Sequence, residues 1–262
     1  MQGKKRVNLR LEENSMPTIT LDHVSKYYRV ERRWPWKKPV PDEIGVEDVS
    51  LTIEQGEFVS VIGSSGAGKS TLLNLISGEI KPNQGMVSID GVPVADIRRR
   101  KGRQMSTLIG YVPQHQNLNR SITIQENLNE AAKAGGKRYK DKKDFSERTK
   151  KVLGLVGMSG VEDKYPGELM AGQFRRVELA CAIINSPPIL VLDEVIANVD
   201  PDSMWDVFLL LNELNRRGTT IIMATHNSEF VNMLRKRVIM LVHGRVYSDE
   251  DKGRFGQVSK KK

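Results

Sequence analysis

Residues 63–71 read GSSGAGKST, and no other stretch of the 262-residue chain narrows the choice of fold as far. The run follows EFVSVI, an apolar segment suited to a strand. It precedes STLLNLISGEI, whose apolar spacing predicts a helix stopping near Gly78. A phosphate-binding loop has that strand–loop–helix context. Its glycines, Gly63, Gly66 and Gly68, let the backbone N–H groups of the loop, with those of Ser64, Ser65 and Ala67, point inward at phosphate oxygens. The helix adds its positive N-terminal end. Lys69 can reach the β- and γ-phosphates, the Ser70 hydroxyl can bind Mg²⁺, and Thr71 completes the pattern. The bare spacing should arise in roughly one random chain in a hundred of this length, so the flanking strand and helix decide against a plain glycine turn.

A second apolar run, PPILVLDE, delivers Asp193 to the end of a strand, where it can hold Mg²⁺ through water beside Ser70. Glu194 next to it can orient or deprotonate an attacking water. Buried strands often end in an acid, so the pair gains its meaning from the phosphate loop upstream. From FRRVELACAIINS onward, helical runs alternate with the apolar strands PPILVLDE, TTIIMATH and VIMLVHGRV, which implies a mainly parallel sheet. Ahead of the loop, TITLDHVSKYYRV and GVEDVSLTIEQGEFVSVIG read as strands joined by ERRWPWKKPVPDE, a long proline-containing hairpin loop. MVSIDGVPV reads as a hairpin turning at Asp90-Gly91. From about residue 115 to about 178 the chain is polar and helical, as an insert between strands would be.

The order of motifs resembles that of the ATP-binding cassette (ABC) ATPases, over about Thr18 to Asp251. It runs phosphate loop, IGYVPQ, helical insert, LMAGQ, PPILVLDE, NVDP, MATH. The resemblance implies an α/β fold: a RecA-like P-loop NTPase core with an antiparallel β subdomain and an inserted α-helical subdomain. It also implies ATP and Mg²⁺ as ligands. Basic tails would flank the ATPase domain at 1–17 and 252–262. Carried over by motif, Tyr28 would stack on adenine, with neighbouring Tyr27 as the rival. Gln114 would touch Mg²⁺ or the attacking water, Asp200 would shape a loop communicating across a dimer, and His226 would contact the γ-phosphate.

The signature departs from the family pattern. Where Leu-Ser-Gly-Gly-Gln is usual, this chain has Leu169, Met170, Ala171, Gly172 and Gln173. The family's serine caps a helix and donates its hydroxyl to the γ-phosphate bound by the opposite subunit. Met170 does neither, because a thioether is at best a weak acceptor. Ala171 adds a Cβ where glycine lets backbone approach phosphate closely. Gly172 and the helix dipole keep some attraction for an anion. A homodimer would carry two weakened sites. A heterodimer could have one weak and one complete site. A chain that binds without hydrolysing is disfavoured by the presence of Lys69, Asp193, Glu194 and His226.

Charge and composition bear on partners. The net charge of +9 favours anionic surfaces, and much of it lies in RRWPWKK, RRRKGR, KRYKDKK and a terminal KKK. Trp34 and Trp36 among cations suit an acidic membrane interface as well as packing on the domain. A soluble ATPase acting on nucleic acid or ribosomes is the rival reading, but tandem cassettes, coiled coils and zinc modules are missing from the sequence. No apolar run reaches membrane-spanning length, and the charged N-terminal segment does not read as a secretory signal. A single cysteine, Cys181, in an apolar helical run suits packing rather than reactivity. His23, His115 and His243 match no family site and read as surface or local hydrogen-bonding residues. The C-terminal stretch from Asn215 is most similar to the branch containing FtsE, MacB and LolD. That branch implies a cytoplasmic subunit, peripheral at the inner face of the membrane, with a permease-like partner such as FtsX and a second ATPase subunit.

Overall fold

The computed structural model describes residues 17–29, 43–100, 102–135, 141–196 and 201–255. Asp200 and the RRWPWKK segment lie outside the described residues.

Two long strands come first, β1 (Ile19–Tyr28) and β2 (Glu43–Ile53), paired antiparallel with Ile19 opposite Ile53. Their alternation buries Ile19, Leu21, Val49, Leu51 and Ile53 on one face, and an irregularity in β2 at Asp48, where φ is 50°, brings Val46 into the same core. Next comes β3 (Phe58–Ile62), buried at all five positions as a strand covered on both faces must be. The glycine-rich loop leads from it into α1 (Lys69–Ile76), which is capped at Ser77. A hairpin of β4 (Gln84–Ile89) and β5 (Val92–Pro93) turns at Asp90 and Gly91, both at positive φ, as the Asp-Gly pair predicts.

Residues 94–108, to which the sequence reading gave no element, form α2 (Val94–Arg100) and α3 (Gly102–Leu108), followed by β6 (Ile109–Val112). The helical segment contains α4 (Ile124–Ala134), α5 (Lys142–Leu155), a single 3-10 turn at Pro166–Glu168, and α6 (Ala171–Ile183). Thr123 and Glu126 form a reciprocal cap at the start of α4. The chain closes with β7 (Ile189–Asp193), α7 (Pro201–Arg216), β8 (Thr220–Ala224), α8 (Ser228–Leu234), β9 (Arg237–Val242) and β10 (Arg245–Glu250).

Two sheets result among the described residues. The smaller has the order β2-β1-β4-β5 and is antiparallel. The larger has the order β10-β9-β3-β8-β7-β6, with β9, β3, β8, β7 and β6 parallel and β10 turning back on β9. The fold is therefore α/β with a P-loop NTPase core and an antiparallel β subdomain. α1 is buried between the sheets, where Leu72, Leu73, Leu75 and Ile76 share one core with Ile19, Val46, Val61 and Val191. The opposite face of the large sheet packs on the helices through Leu128, Val152, Val177, Leu211 and Phe230.

Arg237 ties the two sheets at one end. Its guanidinium donates to both carboxylate oxygens of Asp249 at 2.8 Å, to Glu57 Oε2 at 2.9 Å and to the Thr52 carbonyl at 2.7 Å. Beyond β10, Gly253 is buried against Val238 and Phe255 packs on the cluster of Ile62, Val231 and Val238.

Candidate functional site

The loop between β3 and α1 needs its glycines for contact reasons. Gly63 and Gly68 have φ of 152° and 99°, and an added Cβ would run into the carbonyl oxygens of Leu241 and Gly45 respectively. Lys69 Nζ curls back and donates to the carbonyl oxygens of Gly63 and Ser64 at 2.9 and 3.0 Å. The loop forms the floor of a cleft of about 970 Å³. Every sequence-singled residue from Gly63 to Thr71 lines it, together with Tyr28, Gln114, Glu194 and His226.

Tyr28 borders the cleft from the end of β1, 39% exposed, with its hydroxyl 3.2 Å from Thr71 Oγ1. Tyr27 is not among the lining residues, and its backbone N–H donates to Asn83 Oδ1 at 2.9 Å. His115 and Phe255 also border the cleft, although the sequence reading gave neither a role there.

Parallel strands β7 and β8 end side by side, β7 delivering Asp193 and Glu194 and β8 leading to His226. Asp193 is 1% exposed, and both of its carboxylate oxygens are buried without a hydrogen-bond partner. Burial pushes this carboxyl above its ordinary value. The Glu194 charge adds to the rise, while Ser70, Lys69 and Arg175 pull the other way without reversing it. Ser70 is close enough to exert that pull yet does not sit in hydrogen-bonding geometry to Asp193. A buried, unsatisfied carboxylate costs about 1–3 kcal/mol or more, and a cation beside it would relieve the cost. Ser70, which acts on Asp193, has its hydroxyl 3.5 Å from Gln114 Oε1. Oxygen donors alone suit a hard divalent ion such as Mg²⁺.

Glu194 sits at φ 53°, a left-handed conformation costing a non-glycine residue on the order of 1–3 kcal/mol. Its backbone N–H donates to the Ala224 carbonyl at 3.0 Å, and its Oε2 lies 2.8 Å from His226 Nδ1. The strained backbone aims a mostly buried carboxylate into the cleft, and the imidazole fixes its orientation.

Arg175 was missed by the sequence reading. From α6 it donates to the carbonyls of Pro113 (2.9 Å) and Gln114 and to Glu178 Oε2 (2.8 Å). Glu178 Oε1 in turn accepts the Asn117 N–H at 2.8 Å. An Arg and a Glu three residues apart on a helix were a legible signal of an ion pair, though not of its partners.

The signature lies elsewhere. None of residues 169–173 lines the cleft. Met170 is the N-cap of α6 with no side-chain cap bond and is 77% exposed, while the Gln173 side chain accepts the Met170 N–H at 3.1 Å. A Cβ at Gly172 would meet nothing within 4 Å in this chain. Cys181 is partly buried, and burial together with the Glu178 carboxylate pushes the thiol up to about 12.

A family model described as ABC transporter matches residues 46–197, more than half of the chain. The chain belongs to the ABC transporter family. As an ABC protein it is an ATP-binding and ATP-hydrolysing subunit of a membrane complex. It is 37% identical over 227 residues to the cell division ATP-binding protein FtsE of Streptococcus pneumoniae, covering 87% of this chain and 97% of the relative. It is 39% identical over 208 residues to FtsE of Bacillus subtilis, covering 79% and 90%. A solved dimeric structure of an ATP-binding cassette in a post-hydrolysis state, bound to ADP and Pi, superposes with a TM-score of 0.81 at 29% identity. That match covers 90% of this ABC protein and 100% of the solved chain. Among the described residues, no helix is long and apolar enough to cross a membrane.

Proposed function

We propose that this ABC protein is an FtsE-like subunit that drives or gates a separate permease-like membrane protein, one similar to FtsX. It would work at the inner face of the membrane as a peripheral cytoplasmic protein, paired with a second ATPase subunit. The ATPase domain would span 18–251, with the helical subdomain at about 115–178. Lys69 and the loop amides bind the β- and γ-phosphates, and Tyr28 stacks on adenine. Ser70, Asp193 and Gln114 would hold Mg²⁺, which would supply charge neutralisation to the phosphates. Glu194 orients the attacking water and accepts its proton, while His226 steadies that carboxylate and contacts the γ-phosphate. Gly172 and Gln173 face ATP on the opposite subunit, and Asp200 shapes the loop between the two sites. The basic RRWPWKK segment suits an acidic membrane surface.

The observation that carries this reading is the strained Glu194, hydrogen-bonded to His226 beside an unpartnered buried Asp193, on the wall of the phosphate-loop cleft. Its test is Glu194→Gln. The amide keeps the shape but cannot accept the proton, so ATP binding should persist while turnover falls on the order of 100-fold or more. Normal turnover would remove Glu194 from the reaction. The partner is tested by recovering the tagged chain from membranes and identifying the polytopic protein that comes with it. Recovery of nucleic acid instead, released steeply by salt, would favour the soluble alternative.

A further inference from the structure

The helix that begins in the signature is tied to the loop that carries Gln114 by a cation at the edge of the cleft, exposed over only 14% of its side chain. Arg175, one turn into α6, spreads its guanidinium over the carbonyl oxygens of Pro113 and Gln114, the two residues leaving β6. A planar fork of donors can grip two successive carbonyls, which a point cation cannot do as well. Glu178 supports it from the next turn. Its side chain is fully buried, accepts from Arg175 on one oxygen and accepts the Asn117 N–H on the other. A second contact runs parallel to this one, with the Arg120 guanidinium 6.0 Å from the ring centroid of Phe174 on α6. On its other side, Gln114 faces Ser70 at the start of α1.

A buried carboxylate and a largely covered guanidinium are expensive to desolvate and rarely add net stability over apolar residues of the same size. What this pair does offer is direction. Burial raises the Glu178 carboxyl from its ordinary value, and the contacts to Asn117 and Arg175 oppose the rise. Its geometry leaves the loop backbone at 113–117 fixed to α6 and the Gln114 side chain aimed at Ser70.

We infer that Arg175, backed by Glu178, is a positioning residue that sets Gln114 against Ser70 and makes the position of the signature helix felt at the ATP site. Movement of α6 by a partner would then pull directly on the Gln114 carbonyl. The inference rests on the role of Gln114 proposed above, and it adds the group that holds Gln114 in place.

The test uses the full chain in single-turnover hydrolysis with protein in excess, together with equilibrium ATP titration. Arg175→Met alone would strand the Glu178 charge, so it is paired with Glu178→Gln, which keeps an acceptor for Asn117. The neutral pair should fold with a similar melting temperature and bind ATP within about threefold of wild type, yet hydrolyse it about tenfold or more slowly. Arg175→Lys should fall between the two. On a Gln114→Ala background the neutral pair should cost less than about threefold more, because both changes act through one side chain. A folded neutral pair with wild-type hydrolysis overturns the inference, as does full multiplication of the two losses. Wild-type hydrolysis by Gln114→Ala alone would instead sink the role of Gln114, and the inference with it.

Discussion

Replacing Met170 by Ser together with Ala171 by Gly should accelerate hydrolysis by the isolated protein, and the structure says why folding would not confuse the result. Met170 already occupies an N-cap conformation, with φ −67° and ψ 159°, so a serine there needs no backbone movement. The methionine is 77% exposed and gives up almost no buried area. A new cap contributes about 1 kcal/mol, which offsets the roughly 0.5–1 kcal/mol lost by putting glycine for alanine in the helix. Net stability should barely change. What changes on the proposed reading is the surface shown to ATP held by another subunit, where one hydroxyl donor to a charged phosphate would contribute about 1.5–3 kcal/mol. If that bond acts in the transition state, the rate rises roughly ten- to a hundredfold. The assay is steady-state ATPase for both proteins over a dilution series, with melting temperatures alongside. The gain should shrink on dilution, because residues 169–173 do not line the chain's own cleft. Equal and already high rates would refute the idea that the signature half-site is weak. A gain independent of concentration would refute its action across a dimer.

Lys69→Ala should weaken ATP affinity by at least ten- to a hundredfold, read by equilibrium titration, since each charge-assisted bond to phosphate contributes about 1.5–3 kcal/mol. Wild-type affinity would remove Lys69 from the phosphate site. Arg237→Ala should destabilise the fold by about 3–5 kcal/mol in urea unfolding, because it strands Asp249 and Glu57 where the two sheets meet; a loss below about 1 kcal/mol would show that water replaces the guanidinium. His23 is hydrogen-bonded to Asp48, which raises its folded-state value above 6.5, so the stabilisation it provides is fully present below that pH and fades as pH rises through the raised value. The urea midpoint of wild type minus that of His23→Gln should therefore be positive near pH 5 and decline toward pH 8, and a flat difference would contradict the pairing.

The parts of this site that could be read from the sequence are those built from neighbours in the chain. The phosphate loop needs one strand, one turn and one helix in succession, and PPILVLDE needs a single strand, so both are visible as short patterns. The choice between Tyr27 and Tyr28 was hidden for a definite reason. β1 shifts register against β2 between Leu21 and Val24, again before Lys26, and again at Tyr27. Each such irregularity changes which face the later residues show, so alternation counted from Ile19 cannot name the tyrosine that faces the cleft. Arg175 was hidden because its partners at Pro113 and Gln114 lie 62 and 61 positions earlier. Its spacing of three from Glu178 marks an ion pair, but nothing local points to the loop carbonyls.

The same distinction bears on the unusual signature. A residue that the fold depends on announces a substitution by the contacts it would disturb, as at Gly68, where a Cβ would strike the Gly45 carbonyl. Residues 170–172 disturb nothing of that kind. Met170 projects away from the chain, and the space around Gly172 is open. Helix α6 forms without its side-chain cap because Phe174, Val177, Leu179, Ala180 and Ile183 bury its inner face, and Gln173 satisfies the Met170 N–H. The fold is therefore indifferent to a change that alters the chemistry of the surface it displays. On the proposed reading, in which this surface faces ATP held by a second subunit, the composition of the dimer rather than the stability of the monomer is where the effect of Met170 and Ala171 is measured.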